Sequence, residues 1–232
     1  AYVVNGVTGI RDVGGFQPTE VIRQVAADVK HGKRIGPRIV LAGAVIDGPP
    51  GAWPGIKVAA TPEEGRSLVR AFKAEGWSFI KTYSLVRPDV YDAIADEAHK
   101  LGLGLFGHVP EAVSLAQAVS KGHGIVEHFG RLTMACSTNE PAIVSRRLSG
   151  MAGAKTLADI MVVLRETHPL ALKDHDEKLC SEAFERLKIN GTWVMPSLIV
   201  ADFYMGRDPA ENDPRMQSIP LSVRSKWKEN DF

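Results

Sequence analysis

The segment SFIKTYSLVRPDVYDAIADEAHKLGLGLFGHVPEAVSLAQAVSKGHGIVEHFG, residues 78–130, decides the fold of this chain. It contains three short apolar runs, which end at Lys81, at His108 and at Glu127-His128. The segments between the runs have the 3.6-residue periodicity of amphipathic helices. Alternation of strand and helix builds a parallel sheet, and active sites of parallel α/β barrels lie at the carboxyl ends of their strands. We therefore expect these side chains to meet at one edge of a sheet.

The same alternation continues on both sides of this segment and predicts an α/β fold. We predict six parallel strands, near residues 8, 38, 78, 104, 124 and 193. Thr61-Pro62 followed by Glu64 is a strong helix start, because Thr61 can cap the helix and Glu64 suits a capping box. The absence of a G-x-G-x-x-G loop after the first strand disfavours a dinucleotide-binding fold. Between about residues 131 and 170 the pattern loosens, and we expect short helices near 141–148 and 156–164 that form an insertion or lid.

The overall composition excludes some classes of partner. The 232 residues include 28 Lys and Arg against 27 Asp and Glu, a formal net charge of +1. This balance argues against a protein that binds nucleic acid or an anionic membrane surface, and no apolar run approaches the length of a membrane span. The two cysteines, Cys136 and Cys180, are too few for a disulfide framework and lack metal-binding spacing, so they look structural. The chain opens on Ala1 as if cut from a longer protein, and we predict no compartment.

Two histidines carry the strongest chemical signal. His108 and His128 lie 20 residues apart, and each follows a predicted strand, so adjacent parallel strands would bring their imidazoles together. Imidazole is a good zinc ligand, and a catalytic zinc acidifies its bound water until it becomes a hydroxide nucleophile. The spacing alone is equally compatible with two histidines that pack in the core. We expect the remaining histidines at the surface or in packing roles: His31, His99, His123, His168 and His175.

Lys81 is unusual because it ends an apolar strand, where a lysine must be paired, neutralised or modified. It could form a Schiff base with a carbonyl substrate, become a carbamate that bridges two metals, or bury its stem and keep its amine in solvent. Tyr83, which follows Lys81, and Trp53, in a Gly/Pro-rich loop, are candidate substrate-binding residues, although each could simply pack. Asp12, at the end of the first predicted strand, would face the same rim and is more typical of a structural residue.

Several pieces of the sequence, taken in order, resemble the metal-dependent amidohydrolase superfamily. The resemblance is to its imidazolonepropionase-like and Xaa-Pro-dipeptidase-like branch. The ordered set Lys81, His108 and His128 with its surrounding strands is more specific than any single piece. The matching pieces correspond to strands two to seven of that family: NGVTGIRDVGG at 5–15, GPRI at 36–39, IK at 80–81, GHVP at 107–110, EH at 127–128 and NGTWVMPSL at 190–198.

This resemblance implies a (β/α)8 TIM barrel with two divalent metals, usually zinc. A hydroxide that bridges them attacks an amide, peptide or cyclic amide bond in a small-molecule or dipeptide-like substrate. Lys81 would be carboxylated and bridge both metals, and His108 and His128 would bind the second metal. The family's strand-one His-x-His pair occurs nowhere in this sequence, and its strand-eight Asp lies beyond the match. The resemblance thus implies that residues 1–232 are one partial barrel domain without strands 1 and 8, and that hydrolysis needs a longer protein.

Two other functions remain open at this level. The chain could be a lyase that uses Lys81 as a Schiff-base nucleophile on a similar barrel. It could also be a non-catalytic partial barrel that folds as a homo-oligomer, because an incomplete barrel leaves two sheet edges free to pair with another chain.

Overall fold

The structure is a computed structural model that describes residues 2–13, 18–41, 45–52, 56–154 and 156–198, together with Pro214 and Leu221. Residues 1–196 form one compact unit and residues 197–232 a second. The helices and strands given below all belong to the first unit. Trp53, a candidate substrate-binding residue, lies outside the described residues. Within the described ranges, no helix is long and apolar enough to cross a membrane.

The strands of the described ranges pair in parallel and form two sheets. In the first sheet, β1 (Gly9–Asp12) pairs with β2 (Arg38–Leu41). The second sheet has six strands: β3 (Val45–Asp47), β4 (Lys57–Val58), β5 (Phe79–Thr82), β6 (Gly104–Gly107), β7 (His123–Glu127) and β8 (Trp193–Met195). Their order across the sheet is β4-β3-β5-β6-β7-β8. The predicted α/β class with parallel strands is confirmed, and β3 and β4 are two short strands that the sequence did not predict.

The helices follow the strands in the order that the sequence predicts. Their bounds are α1 (Thr19–Lys30), α2 (Pro62–Ala74), α3 (Pro88–Lys100), α4 (Leu115–Ser120), α5 (Gly130–Ala135), α6 (Glu140–Gly153), α7 (Leu157–Lys173) and α8 (Glu177–Ile189). The capping box predicted at the start of α2 is present. The Glu64 backbone N–H donates to Thr61 Oγ1 at 3.3 Å, and the Thr61 N–H donates to Glu64 Oε2 at 3.2 Å. These bonds satisfy N–H groups that have no partner within the helix.

The main core lies between the second sheet and the helices that cover it. Ile46, Ile80 and Val126 from the strands are fully buried, as are Tyr91 and Ile94 from α3. In the strand register, Thr82 lies opposite Gly107, and Gly107 lies opposite Val126. The register of β6 with β7 shifts by one residue between Leu105 and Phe106. Because the strands are parallel, the residues that end β5, β6 and β7 nevertheless reach the same edge of the sheet. This register positions the candidate site.

The region from 131 to 170 is helical, as predicted, but its helices are longer than the sequence indicated. Helix α7 continues through Pro169, where a sequence rule would end it. Cys136, at the end of α5, and Cys180, in α8, form a disulfide bond across a separation of 44 residues. The sequence did not indicate this pairing, because nothing local to either cysteine shows which residue it meets. The role of the region as a lid stays a prediction.

Candidate metal centre

The carboxyl ends of β6 and β7 bring three potential ligands together. His108 follows β6, Glu127 ends β7, and His128 is the next residue. The two imidazole rings lie with their centroids 4.7 Å apart and their planes at 86°. One ligand atom from each of the three residues lies within 4.8 Å of the other two. The structure therefore places the two sequence-predicted histidines side by side and adds a carboxylate to them.

Lys81 reaches the same cluster from β5. Its Nζ donates a hydrogen bond to Glu127 Oε2 at 2.8 Å, and the two side chains are only 8% and 3% exposed. The amine is therefore paired inside the protein, and the alternative in which it reaches solvent does not fit. A buried ammonium and a buried carboxylate each need such a partner, because a lone charge in the interior loses its hydration without compensation.

The second oxygen of Glu127 is less well satisfied. Glu127 Oε1 is buried without a hydrogen bond in the described part of the chain, and Arg11 Nη2 lies 3.7 Å away, too far for one. The guanidinium of Arg11 stacks 4.0 Å above the ring of Phe106, and its Nε is also buried without a hydrogen-bond partner there. Glu127 thus lies between two cations, Lys81 and Arg11. Its Oε1 can still accept a hydrogen bond or bind a further cation.

The surroundings of His108 favour its neutral form. Its Nδ1 lies 2.9 Å from Ser84 Oγ, and the ring of Tyr83 stacks on it with centroids 4.0 Å apart. Burial, together with the nearby charges of His128 and Lys81, lowers the pKa of His108 to about 3. Only a neutral imidazole has a lone pair to offer a metal. Tyr83 forms a wall of the cluster, and its contact with a substrate stays a prediction.

Backbone geometry at two positions holds the cluster in place. His128 has a φ of 64°, a conformation that is uncommon for residues other than glycine, and its N–H donates to Met195 O of β8 at 2.9 Å. Gly107 has a φ of 113°, and a Cβ there would lie 2.6 Å from Thr82 O and 2.8 Å from Lys81 Cγ. A glycine is therefore required at 107 for β6 to approach Lys81 this closely.

A buried aspartate, Asp47, connects the loop that carries Ser84 to a neighbouring loop. Asp47, at the end of β3, accepts hydrogen bonds from the N–H of Leu85 at 2.7 Å and of Ala52 at 3.1 Å. Burial raises the pKa of Asp47 to about 6, although these backbone bonds act in the opposite direction. Asp47 thereby ties the loop after β3 to the loop after β5, which carries Ser84.

Sequence reasoning assigned no role to three members of this cluster. Glu127 ends an apolar run, as Lys81 does, and was expected at the same sheet edge, but it received no role of its own. Ser84 gives no sequence signal. Arg11 lies near Glu127 only because distant segments of the chain fold together. Asp12, the next residue, ends β1 and is partly buried.

The other histidines fall where the sequence analysis expected them, at the surface or in packing. His123 is fully buried, with its Nδ1 at 2.9 Å from Tyr91 Oη and its Nε2 at 3.2 Å from Gly107 O. Burial lowers the pKa of His123 to about 4. The rest are exposed: His31, His99, His168 and His175.

Comparisons with known proteins identify the fold. No protein-family model and no curated protein matches the sequence. Solved structures do match. A bottromycin amidohydrolase matches with a TM-score of 0.50 and 18% identity, over 84% of this chain and 54% of that one. A Xaa-Pro dipeptidase with bound methionine matches with a TM-score of 0.45 and 19% identity, over 82% of this chain and 54% of that one. A putative prolidase from Bifidobacterium longum matches with a TM-score of 0.47 and 19% identity, over 83% of this chain and 52% of that one.

These matches concern part of each solved structure. The chain spans about half the length of the proteins that it matches. At identities below one fifth, only the arrangement of helices and strands is comparable, and active-site chemistry does not transfer with it. The fold of this chain is similar to that of about half of the bottromycin amidohydrolase structure.

Proposed function

We propose that this chain is the core of a metal-dependent hydrolase that cleaves a C–N bond in an amide, peptide or cyclic amide. The observation that carries the proposal is the convergence of His108, Glu127 and His128 at two adjacent strand ends, beside the buried amine of Lys81. The name of one similar solved structure, a bottromycin amidohydrolase, agrees with this class of reaction. The substrate we propose is a small molecule or a dipeptide-like compound.

The proposal extends to the fold. We take six of the parallel strands, β1, β2, β5, β6, β7 and β8, to be strands two to seven of a (β/α)8 barrel. Residues 1–232 would be one partial domain, with the helices after β7 as its lid. The strand order and the coverage of about half of the matched amidohydrolase support this. A His-x-His pair and a further Asp would then come from segments outside this sequence, and this chain alone would be inactive.

The residues of the cluster fit one divalent ion. Two imidazoles and one carboxylate form a donor set that suits catalytic zinc, which keeps a further position open. Glu127 Oε1 is a buried, unpartnered acceptor, and a cation would satisfy it. A hydrogen bond from His108 Nδ1–H to Ser84 Oγ would leave Nε2 of His108 as the ligand atom. When bound, the ion would acidify a water molecule and polarise the scissile carbonyl group.

Lys81 has two possible roles in such a site, and the ion pair bears on both. If Lys81 becomes a carbamate that bridges two metals, its new negative charge would lie beside Glu127, and Arg11 would be the cation left to balance Glu127. If Lys81 instead formed a Schiff base, the protonated imine would keep a positive charge beside Glu127, so the ion pair is compatible with that role as well. The hydrolase is better supported than the lyase because His108 and His128 converge beside Lys81, and a Schiff-base lyase needs no such pair of ligands.

The test is zinc binding and hydrolysis in the longest available protein that contains this chain, under non-reducing conditions. We expect His108→Ala to lose the ion and the hydrolysis of a panel of dipeptides, N-acyl amino acids and cyclic amides, with an unchanged circular dichroism spectrum. His99→Ala, an exposed histidine on α3, is the matched control and should retain both. Retention of zinc and activity in His108→Ala would contradict the proposal. A clean protein that takes up no metal and assembles into oligomers would instead support the non-catalytic alternative.

A further inference from the structure

A second cluster of ligating side chains shares no residue with the candidate metal centre. Cys136 ends α5, Cys180 lies in the first turn of α8, and His175 lies in the connection between α7 and α8. One ligand atom from each lies within 4.8 Å of the other two. The two sulfurs are joined in a disulfide, and these are the only two cysteines of the chain.

Backbone hydrogen bonds hold this cluster together independently of the disulfide. The Asp176 N–H donates to Cys136 O at 2.8 Å, and the Thr138 N–H donates to Asp174 O at 3.0 Å. Ser137 and His175 form an antiparallel bridge between the same two segments. Reduction of the disulfide removes one covalent bond but leaves these contacts intact. The two thiols and the imidazole therefore stay close together in the reduced protein.

The start of α8 also fixes the position of one cysteine. Asp176 caps this helix, because its carboxylate accepts the N–H of Lys178 at 2.8 Å and of Leu179 at 3.1 Å. Cys180 lies in the first turn, and its backbone N–H donates to Asp176 O at 3.0 Å. The thiolate is the form of cysteine that binds metals.

We propose that Cys136, Cys180 and His175 form a binding site for a thiophilic divalent ion such as zinc when the disulfide is reduced. A dithiol reductant converts the disulfide to two thiols and is itself oxidised to a disulfide. The ion then displaces one proton from each thiol and binds both thiolates and the imidazole. Water or Glu177, whose Oε1 lies 3.3 Å from His175 Nε2, takes the fourth position.

The dimensions of the cluster suit such an ion. Zinc lies about 2.3 Å from each thiolate sulfur in a tetrahedral site, which puts the two sulfurs about 3.8 Å apart. The two sulfurs are bonded to each other in the oxidised protein, so reduction must let them move apart to that separation, while a ring nitrogen of His175 already lies within 4.8 Å of both. The disulfide and the ion are thus alternative links between α5 and α8, at the base of the hairpin formed by α6 and α7.

Cobalt tests the site, because it replaces zinc and its bond to a thiolate absorbs light. The protein is reduced, freed of reductant without oxygen, and titrated with Co²⁺. We expect thiolate-to-cobalt charge-transfer absorption in the near ultraviolet, its loss on addition of zinc, and none in the oxidised protein. Since only Cys136 and Cys180 can supply a thiolate, the signal does not come from His108 and His128.

Two variants decide whether His175 belongs to the site. His175→Gln leaves both cysteines in place and should weaken cobalt binding about tenfold or more, while His168→Gln, an exposed histidine of α7, should not. Equal affinity in His175→Gln would mean an adventitious two-thiol site and would overturn the proposal. A second result would also overturn the proposal. In it, the reduced protein shows no charge-transfer absorption with cobalt, and its thiols react with Ellman's reagent equally fast with and without zinc. Neither result bears on hydrolysis at the candidate metal centre.

Discussion

Replacement of Lys81 by methionine should destabilise the protein by about 3 kcal/mol. Methionine keeps the length and apolar character of the lysine stem but removes the ammonium group. Glu127 would then remain buried, at 3% side-chain exposure, with only the distant guanidinium of Arg11 beside it. The prediction tests whether Lys81 and Glu127 form the paired centre on which the proposed site depends.

The geometry sets the expected magnitude. At the 2.8 Å between Lys81 Nζ and Glu127 Oε2, an effective dielectric constant of about 20 gives a gross attraction of about 6 kcal/mol. The dehydration of both charges offsets much of this, and removal of one partner of a buried pair costs about 3–5 kcal/mol. Arg11 Nη2, at 3.7 Å from Glu127 Oε1, compensates part of the loss. We therefore expect a value at the lower end of this range.

A double-mutant cycle measures the interaction. The free energies of urea unfolding of the original protein, Lys81→Met, Glu127→Gln and the double variant, all in the presence of a chelator, should give a coupling of about 2–3 kcal/mol. Lys121 and Asp96 provide the matched control, because their atoms lie 2.9 Å apart but their side chains are 31% and 61% exposed. Lys121→Met and Asp96→Asn should show a coupling below about 1 kcal/mol.

Equal couplings for the two pairs would refute the reasoning. That result would mean that water reaches Lys81 and Glu127 in solution and that burial adds nothing to their attraction. A neutral effect of Lys81→Met alone would have the same meaning, because an unpaired buried carboxylate cannot be free of cost.

Three further predictions concern the surroundings of the site. Burial raises the pKa of Asp47 from 3.8 to about 6, so between these pH values the folded protein keeps a proton that the unfolded chain loses. The free energy of unfolding should therefore fall by up to about 3 kcal/mol as the pH rises through this interval. Asp47→Asn should abolish that slope in urea unfolding measured across it, and an unchanged slope would contradict the assignment. Gly107→Ala should destabilise by more than about 2 kcal/mol in thermal unfolding, because its Cβ meets Thr82 O at 2.6 Å. Gly102→Ala, at a positive φ of 66° with open space around it, should cost about 1 kcal/mol, and equal losses would show that the contact is relieved. Tyr91→Phe should cost about 1–3 kcal/mol by chemical unfolding, because it leaves Nδ1 of the buried His123 without its hydroxyl partner. A Tyr91→Phe protein as stable as the original would mean that another group satisfies this nitrogen.

The sequence by itself determined the features that depend on neighbours along the chain. The capping box at Thr61 and Glu64 was predictable because its two hydrogen bonds join residues three positions apart. The strands that lead to Lys81 and His108 were predictable because a short apolar run, bounded by glycine or polar residues, is a local pattern. β3 was missed because it has three residues and runs directly into a loop rich in glycine and proline.

Only the tertiary structure decided which of these side chains meet. The register of β5, β6 and β7 brings Glu127 into contact with Lys81, 46 positions away in sequence. A local sequence pattern spans far fewer residues and therefore cannot predict this contact. The disulfide between Cys136 and Cys180 depends in the same way on how α5 and α8 approach each other. Chain-local periodicity thus specifies the strand ends, while the charge balance of the candidate site arises from contacts between segments that are remote in sequence.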